Sequence, residues 1–412
     1  MTKITKVSWT GNVAILALFL IPGFGLYLPN GLVVVLAVCA LVCLLELLKT
    51  RRWPGFNKPW IWLLPILSLW SAITAFWAQD STLAIQGMAQ LSGLTLIAIL
   101  LLASPIMLTA MDKDRAVKAY ILGVIVAASM LTFDSLTHMR LAGWFRNYDV
   151  TDGLQLELAQ RSLNRGIALL GFYMPITFFL IWRYPQPVWR WAGLLFSLIA
   201  AVLSLTWGKD AVLLSFLTAG LLAALSLLPA RIGRTLVVAG FAVALLAGPL
   251  VARLIPSSPQ SVWEEFRDWP PSLQHRMVIW KFTADKIAER PLIGWGMNSA
   301  KIIPGGDTDY SVGSGQGELQ WRALPLHPHN AILQWWLELG AVGALLAGAL
   351  VVTIIFMIWN LPDRFTRMTA SACLGSAITI SLLSYGAWQS WWLAGILFVA
   401  WLFKFLDPLD QA

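Results

Sequence analysis

Two of the four histidines in the chain lie one residue apart in the segment LHPHNAILQWWLELG, residues 326–340. They directly precede a long apolar run, so we expect them at the edge of a hydrophobic helix. An imidazole with an ordinary pKa of about 6.5 can accept a proton from a hydroxyl nucleophile near neutral pH. His329 could therefore be a general base. The alternatives are a metal ligand or an interfacial histidine bonded to a backbone carbonyl, and His327 also fits a simple turn.

The composition places these histidines in a membrane protein. Of 412 residues, 58% are hydrophobic and 12% are charged, and the mean hydropathy is +0.71. A soluble domain has about 25% charged residues, so the low charged fraction indicates an integral membrane protein surrounded by lipid. Unbroken apolar runs such as GLVVVLAVCALVCLLELL favour helices, because the strands of a membrane barrel alternate apolar and polar residues. No nucleic-acid partner is expected.

The apolar runs predict an all-α bundle of about twelve transmembrane helices, with a large helical loop between the ninth and tenth spans. We expect residues 1–412 to form a single polytopic membrane domain. The first span is expected to be an uncleaved helix rather than a signal peptide. The predicted spans are 13–29, 31–48, 60–78, 86–108, 119–137, 166–182, 191–206, 211–229, 235–252, 340–359, 370–385 and 391–406.

Basic residues in the short loops predict the orientation of the chain. Every second loop contains Lys or Arg, as in KTRRWPGFNK and NLPDRFTR, whereas the turns LPN, AQDST and SYGAWQS contain neither. Because basic loops are retained in the cytoplasm, both termini are expected there. The outer face then carries a smaller loop at 138–165 and a larger loop at 253–339.

The larger loop is expected to contain several helices joined by turns. The segments SPQSVWEEFRDW and SLQHRMVIWKFTADKIAER show helical spacing of apolar residues. Ser272 is a plausible N-cap of the second helix. Pro328 suits the first turn of the helix that follows, with His329 and Asn330 at its start.

Two motifs in this region resemble those of the O-antigen ligases of lipopolysaccharide assembly. The first is His-Asn, nine residues, Gly, two residues and Gly, beginning at His329. The second is RMVIW followed by RPLIGWG, which resembles Arg-x-x-x-Trp and Pro-Leu-x-Gly-x-Gly elements of the wider ligase and polymerase superfamily. The spans and the single large loop resemble that family along the whole chain. The motif residues are Arg276, Gly294, Gly296, His329, Asn330, Gly340 and Gly343.

The resemblance implies a glycosyltransferase of the bacterial inner membrane, with its active site in the larger, periplasmic loop. Such an enzyme moves O-antigen from an undecaprenyl diphosphate donor to a lipid A-core acceptor. His329 would be the general base of an inverting single displacement, and Arg276 would stabilise the leaving diphosphate through forked hydrogen bonds. A base and several arginines suffice, so neither metal nor cofactor is expected. The other candidates for substrate binding are Arg161, Arg165, Lys209, Arg322, His327 and Asn330.

Several of these cations also have structural interpretations. Arg276 could form a surface ion pair, and Arg161 and Arg165 could be boundary residues that extend to the membrane interface. Lys209 occupies the turn TWGKD, where the ligases often carry a functional arginine. Lysine keeps the charge but lacks the forked geometry, and its alternative role is an ion pair with the neighbouring aspartate.

Three competing interpretations stay open. The sequence DTD at 307–309 could hold a divalent cation, although the surrounding glycines favour a turn. An O-antigen polymerase would share the chemistry but use a second lipid-linked glycan as acceptor. A transporter of lipid-linked glycans is less favoured, because transporters place ionisable groups near the bilayer midplane and these spans contain few.

The predicted topology can be tested by cysteine labelling at Tyr310. A Tyr310→Cys variant, with the three native cysteines replaced, should react with a membrane-impermeant maleimide added to intact spheroplasts. The matched control is Arg231→Cys in the basic loop ARIGR, which should react only after the membrane is permeabilised. Labelling of residue 310 from the cytoplasmic side would contradict the topology.

Overall fold

The computed structural model describes residues 9–55, 57–104, 108–207, 210–313 and 318–405. Within these ranges the chain is predominantly helical, with one short antiparallel hairpin. The helices are α1 Trp9–Tyr27, α2 Gly31–Thr50, α3 Pro59–Ile73, α4 Ser81–Ala98, α5 Ala110–Leu136, α6 Arg140–Arg146, α7 Gly153–Trp182, α8 Pro187–Trp207, α9 Asp210–Leu225, α10 Ala230–Arg253, α11 Pro259–Glu265, α12 Pro271–Glu289, α13 Ala331–Trp359, α14 Arg364–Leu383 and α15 Ser390–Leu402. The strands are β1 Asp309–Val312 and β2 Leu319–Arg322.

Each predicted span overlaps one of these helices, and residues 105–107 and 406 of the predicted spans lie outside the described residues. Nine described helices are long and apolar enough to cross a membrane, which requires about 20 apolar residues. α9 and α15 are apolar but shorter, and α14 begins with the polar sequence RFTRMT. The prediction of a helical integral membrane protein is confirmed, and the count of twelve spans stays a prediction.

The predicted smaller loop contains more helix than expected. Residues 140–146 form α6, and α7 already begins at Gly153. The side chain of Asp152 caps α7 by accepting a hydrogen bond from the backbone N–H of Gln155 at 2.9 Å. Arg161 and Arg165 therefore lie on a helix one turn apart, and not in an irregular loop.

The hairpin is a feature that the all-α prediction missed. β1 and β2 pair antiparallel, with Tyr310 opposite Trp321. The sequences DYSV and LQWR alternate polar and apolar residues, so one face of the hairpin is apolar. Val312 and Trp321 on that face pack against Met277 and Val278 of α12. Packing on α12 therefore stabilises strands that are only four residues long.

Two of the predicted helix starts are wrong in detail. Ser272 does not cap α12, because the helix already begins at Pro271, and proline is favoured in a first turn. Pro328 lies outside α13. Asn330 is the N-cap of that helix, and its side-chain oxygen accepts a hydrogen bond from the N–H of Leu333 at 3.1 Å.

α13 is broken at Gly340, where φ is +64° and ψ is −168°. Only glycine adopts this backbone conformation readily. The break releases backbone groups of residues 337–342 from the helical pattern, and residues 291–296 pack directly against them. We call these two segments together the glycine joint. Four backbone hydrogen bonds connect them: Trp295 N–H to Leu337 O at 2.9 Å, Gly296 N–H to Glu338 O at 2.8 Å, Ala341 N–H to Pro291 O at 2.8 Å, and Val342 N–H to Leu292 O at 3.4 Å.

Two of the four motif glycines, Gly294 and Gly340, allow this close backbone approach. A Cβ on Gly294 would lie 2.5 Å from the carbonyl oxygen of Glu338, and a Cβ on Gly340 would overlap the carbonyl of Leu292. Gly296 has a φ of +101°. A Cβ on Gly343 would overlap the side chain of Leu339. These glycines therefore have a structural role in the break and its partner segment.

Gly340→Ala should destabilise the protein, because the backbone strain alone costs about 1–3 kcal/mol and the methyl group also overlaps the Leu292 carbonyl. The matched control is Gly240→Ala in α10, where an added Cβ meets no atom within 4 Å. We expect a lower apparent Tm in detergent for the first variant and an unchanged or slightly higher Tm for the second. Equal Tm values for the two variants would contradict this role of Gly340.

Candidate active site

His329 lies immediately before α13, in a conformation that its neighbours hold. Its φ is +53°, and its ring Nδ1 is 2.6 Å from the backbone carbonyl of Ser384. A carbonyl oxygen can only accept, so Nδ1 carries the proton of the neutral ring. The basic lone pair of the neutral ring is therefore on Nε2.

His327 supports His329 through the backbone. Its Nδ1 accepts a hydrogen bond from the backbone N–H of His329 at 3.2 Å, and the two ring centroids are 4.3 Å apart. Because a neutral imidazole has only one donor nitrogen, Nε2 of His327 must donate. Its neighbour at 3.3 Å is Nε2 of the Gln389 amide, and because two donors cannot bond to each other, the amide must be turned by 180° so that its oxygen faces His327. This orientation gives the buried Gln389 oxygen a partner.

The surroundings of His327 keep it neutral. Burial lowers the pKa of its imidazole to about 3, and the nearby His329, Arg165 and Lys301 act in the same direction. A neutral ring that accepts through Nδ1 is suited to positioning His329 and poorly suited to a second general base.

Arg276 is presented on the face of α12 that packs beside the histidines. One turn further along the same face, the indole N–H of Trp280 donates to the carbonyl of Pro328 at 3.0 Å. Burial lowers the pKa of Arg276, while the nearby Asp210 raises it. Among the described residues, no hydrogen bond or ion pair within 4 Å engages the guanidinium group. Its charge is therefore available to an anionic ligand.

The remaining predicted cations differ in their partners. Arg165 on α7 is exposed, lies 5.9 Å from the ring of Trp391, and influences the pKa of His327. Arg161 forms an ion pair with Glu157. Arg322 pairs with Asp309 at 3.1 Å on the exposed face of the hairpin. Lys209 lies outside the described residues.

The DTD segment is divided between two structures. Asp307 lies in the expected turn, whereas Asp309 begins β1. The turn prediction overlooked the alternation of polar and apolar residues in this strand. The carboxylate of Asp309 is engaged by Arg322. Within the described ranges, no group of three or more His, Cys, Asp or Glu side chains is arranged to hold a metal ion.

Sequence reasoning missed a buried carboxylate that connects the parts of the site. Glu338 is fully buried and accepts hydrogen bonds from Asn298 N–H at 2.7 Å, Gln334 Nε2 at 2.9 Å and Trp388 Nε1 at 2.8 Å. Gln334 in turn accepts from the backbone N–H of Ala387 at 2.8 Å. The network joins α13 to residues 384–389, which contain the partners of both histidines. A lone acidic residue in an apolar run was the available signal.

A cavity of about 1000 Å³ lies between α7, the end of α8, α12 and the hairpin. It is lined by the first half of α7, by Trp207 at the end of α8, by α12 near His275 and by Gln320 of β2. Asn164 on its wall accepts a hydrogen bond from the hydroxyl of Tyr385 at 3.0 Å. The residue before Tyr385, Ser384, holds the ring of His329, so this hydrogen bond connects the wall of the cavity to the segment that positions His329.

Comparison with known proteins identifies the family. A family model described as O-antigen ligase matches residues 159–348. A Rickettsia conorii protein that is provisionally named a polysaccharide ligase is 31% identical over 295 residues, covering 71% of this chain and 67% of its own. A similarly named protein of Rickettsia prowazekii is 31% identical over 293 residues, with 70% and 67% covered. The chain belongs to the O-antigen ligase family.

Membership of the O-antigen ligase family supports a polysaccharide-ligase type of activity in a multi-pass membrane protein. The family also implies lipid-linked polysaccharide substrates. The matched range includes the glycine joint, Arg161, Arg165, Arg276 and His329.

The depressed pKa of His327 predicts a pH dependence of stability. From its ordinary value of 6.5 the folded-state pKa falls to about 3, so below pH 6.5 the unfolded chain binds a proton that the folded protein does not. The contribution is therefore complete above about pH 6.5 and is lost as the pH falls towards 3. His327→Asn keeps an acceptor and cannot titrate in this range. Its apparent Tm in detergent should fall less between pH 7 and pH 4.5 than that of the wild type.

The matched control is His138→Asn. His138 is exposed and has the same φ of +53° as His329, and asparagine tolerates that conformation. This variant should keep the wild-type pH slope of the Tm. If the Tm of His327→Asn depended on pH as steeply as the Tm of the wild type, His327 would not be the titrating group.

Proposed function

We propose that the protein is an O-antigen ligase that transfers polysaccharide from undecaprenyl diphosphate to lipid A-core. In this proposal the reaction takes place at the periplasmic face of the bacterial inner membrane, and both termini lie in the cytoplasm. The observation that carries the proposal is the setting of His329. Its Nδ1 is bound to the Ser384 carbonyl, its basic nitrogen is Nε2, and it lies beside the face of α12 that presents Arg276. A positioned base next to an available cation supports glycosyl transfer from a phosphate leaving group.

His329 acts as the general base of a single displacement. Its Nε2 accepts the proton of an acceptor-sugar hydroxyl while the hydroxyl oxygen forms a bond to the anomeric carbon of the donor. The bond from that carbon to the diphosphate oxygen breaks, and the diphosphate leaves with the electron pair. Attack and departure occur on opposite faces, so the anomeric configuration inverts. A positioned base of this kind contributes about 10²–10⁴-fold in rate.

Arg276 and Arg165 are the cations that we assign to the donor diphosphate. Arg165 acts on the pKa of His327, and Arg276 lies one helical turn before Trp280, which contacts Pro328. Neither arginine forms an ion pair with a carboxylate among the described residues. Arg161 and Arg322 are engaged by Glu157 and Asp309, and those contacts would have to break before either arginine could bind phosphate. Lys209, in the turn before α9, stays a third candidate from the sequence. No metal or other cofactor has a step in this reaction.

The base role predicts the effect of His329→Asn. Asparagine tolerates the positive φ, so the variant should fold and bind the donor while its turnover falls by about 100-fold or more. The assay is reconstitution of purified protein with lipid-linked O-antigen and lipid A-core in the absence of ATP. The control is His138→Asn, which should keep wild-type turnover. Near-normal turnover in His329→Asn, or net retention with a trapped glycosyl-enzyme, would rule out this base.

The cation assignment predicts a difference among the arginines. Arg276→Gln and Arg165→Gln should each weaken binding of undecaprenyl diphosphate and lower kcat/KM by about 100-fold, corresponding to roughly 3 kcal/mol for one electrostatic contact. Arg276→Lys should restore only part of the lost affinity and kcat/KM, because lysine lacks the forked hydrogen-bond donors of the guanidinium group. Arg161→Gln is the matched control and should keep wild-type affinity for undecaprenyl diphosphate. The assignment fails if Arg161→Gln abolishes that affinity and Arg165→Gln does not.

A further inference from the structure

The cavity between α7, α12 and the hairpin has almost no net charge. Its charged lining residues, Arg161 and Glu157, form an ion pair with each other. Burial lowers the pKa of His275, so its imidazole is neutral near neutral pH. Its Nε2 is 2.8 Å from the carbonyl oxygen of Arg322 and therefore donates. A ligand with two phosphate groups would find no uncommitted cation among these lining residues.

Uncommitted polar groups line the same cavity. Among the described residues, the side chains of Gln160, Asn164 and Ser272 make no hydrogen bond to protein. Gln320 uses only its amide nitrogen, which donates to the Ser311 hydroxyl at 2.7 Å. Amides and hydroxyls offer both donors and acceptors, and each hydroxyl of a sugar ring can both donate and accept.

Trp207 adds an aromatic surface to this lining. It is half-buried at the end of α8 and faces the cavity. An indole gives a large, rigid apolar face, which suits the C–H face of a sugar ring. A few polar groups that fix orientation around an apolar surface are typical of small-molecule sites of about 300–1000 Å³. At about 1000 Å³, the cavity has room for more than one sugar ring.

We propose that this cavity is a saccharide subsite that binds uncharged sugar residues of the substrate glycan, whereas the diphosphate binds outside it at Arg165 and Arg276. The inference rests on the proposed function, since the sugar must reach His329. One hydrogen bond and one sequence neighbour connect the cavity to the site. Tyr385 connects its wall at Asn164 to the residue that holds His329, and His275 on its lining directly precedes Arg276 in α12.

The test measures ligand binding without turnover. Protein in nanodiscs is titrated with three probes: a free O-antigen repeat oligosaccharide, a free core oligosaccharide and glycan-free undecaprenyl diphosphate. Trp207→Ala and Gln320→Ala should each weaken binding of one saccharide by about tenfold and leave the affinity for undecaprenyl diphosphate unchanged. Gln320 is exposed on the hairpin, so its variant carries little risk of misfolding. The saccharide that is affected identifies the source, with the repeat unit indicating the donor glycan and the core indicating the acceptor.

The control for Trp207→Ala is Trp191→Ala, at the opposite end of α8, where the side chain is 67% exposed. It should bind every probe as the wild type does. Wild-type saccharide affinity in both cavity variants would overturn the proposal, as would an equal loss of saccharide and undecaprenyl diphosphate binding. Failure of the proposed transfer reaction would be distinguishable, because the wild type would then bind saccharide but form no ligated product.

Discussion

The backbone pairing in the glycine joint is the interaction on which the rest of the site depends. Breaking a helix inside a low-dielectric region leaves carbonyl groups that must find other partners. Residues 295 and 296 satisfy the carbonyls of Leu337 and Glu338, and the indole N–H of Trp70 satisfies that of Leu339 at 2.9 Å. The joint fixes the segment that follows α12 against the first turns of α13. The first of these helices presents Arg276 and the second begins beside His329.

Buried polar contacts then transmit this rigidity to the histidines. Glu338 lies within the joint, and its side chain holds Trp388 and the turn at Asn298. Residues 384–389 supply the Ser384 carbonyl to His329 and the Gln389 amide to His327. A satisfied network of this kind specifies one geometry, since any unpaired member would be costly in a low dielectric. His329 is thus held in a left-handed conformation with a defined tautomer.

The sequence allowed the membrane class, the helical positions and the base candidate to be predicted, because apolar length and motif spacing are local signals. It did not reveal that Gly294 and Gly340, which lie far apart in the chain, meet in one joint, since backbone pairing between distant segments has no local signature. The hairpin was missed because four-residue alternation among glycines is a weak pattern. The i, i+4 spacing to Glu157 was available for Arg161, but the nearness of Arg165 to Trp391 and His327 depends on contacts between distant segments, which the sequence does not show.

The most direct test of His329 as the base is a structure of the protein with acceptor and a donor whose anomeric bridging oxygen is replaced by a methylene group. We predict that the acceptor hydroxyl lies about 2.6–3.2 Å from Nε2 of His329. We also predict that the diphosphate contacts Arg276 and Arg165, with the Nδ1 contact to Ser384 preserved. A diphosphate held by Arg161 or Arg322, with Nε2 of His329 directed away from the acceptor, would contradict it.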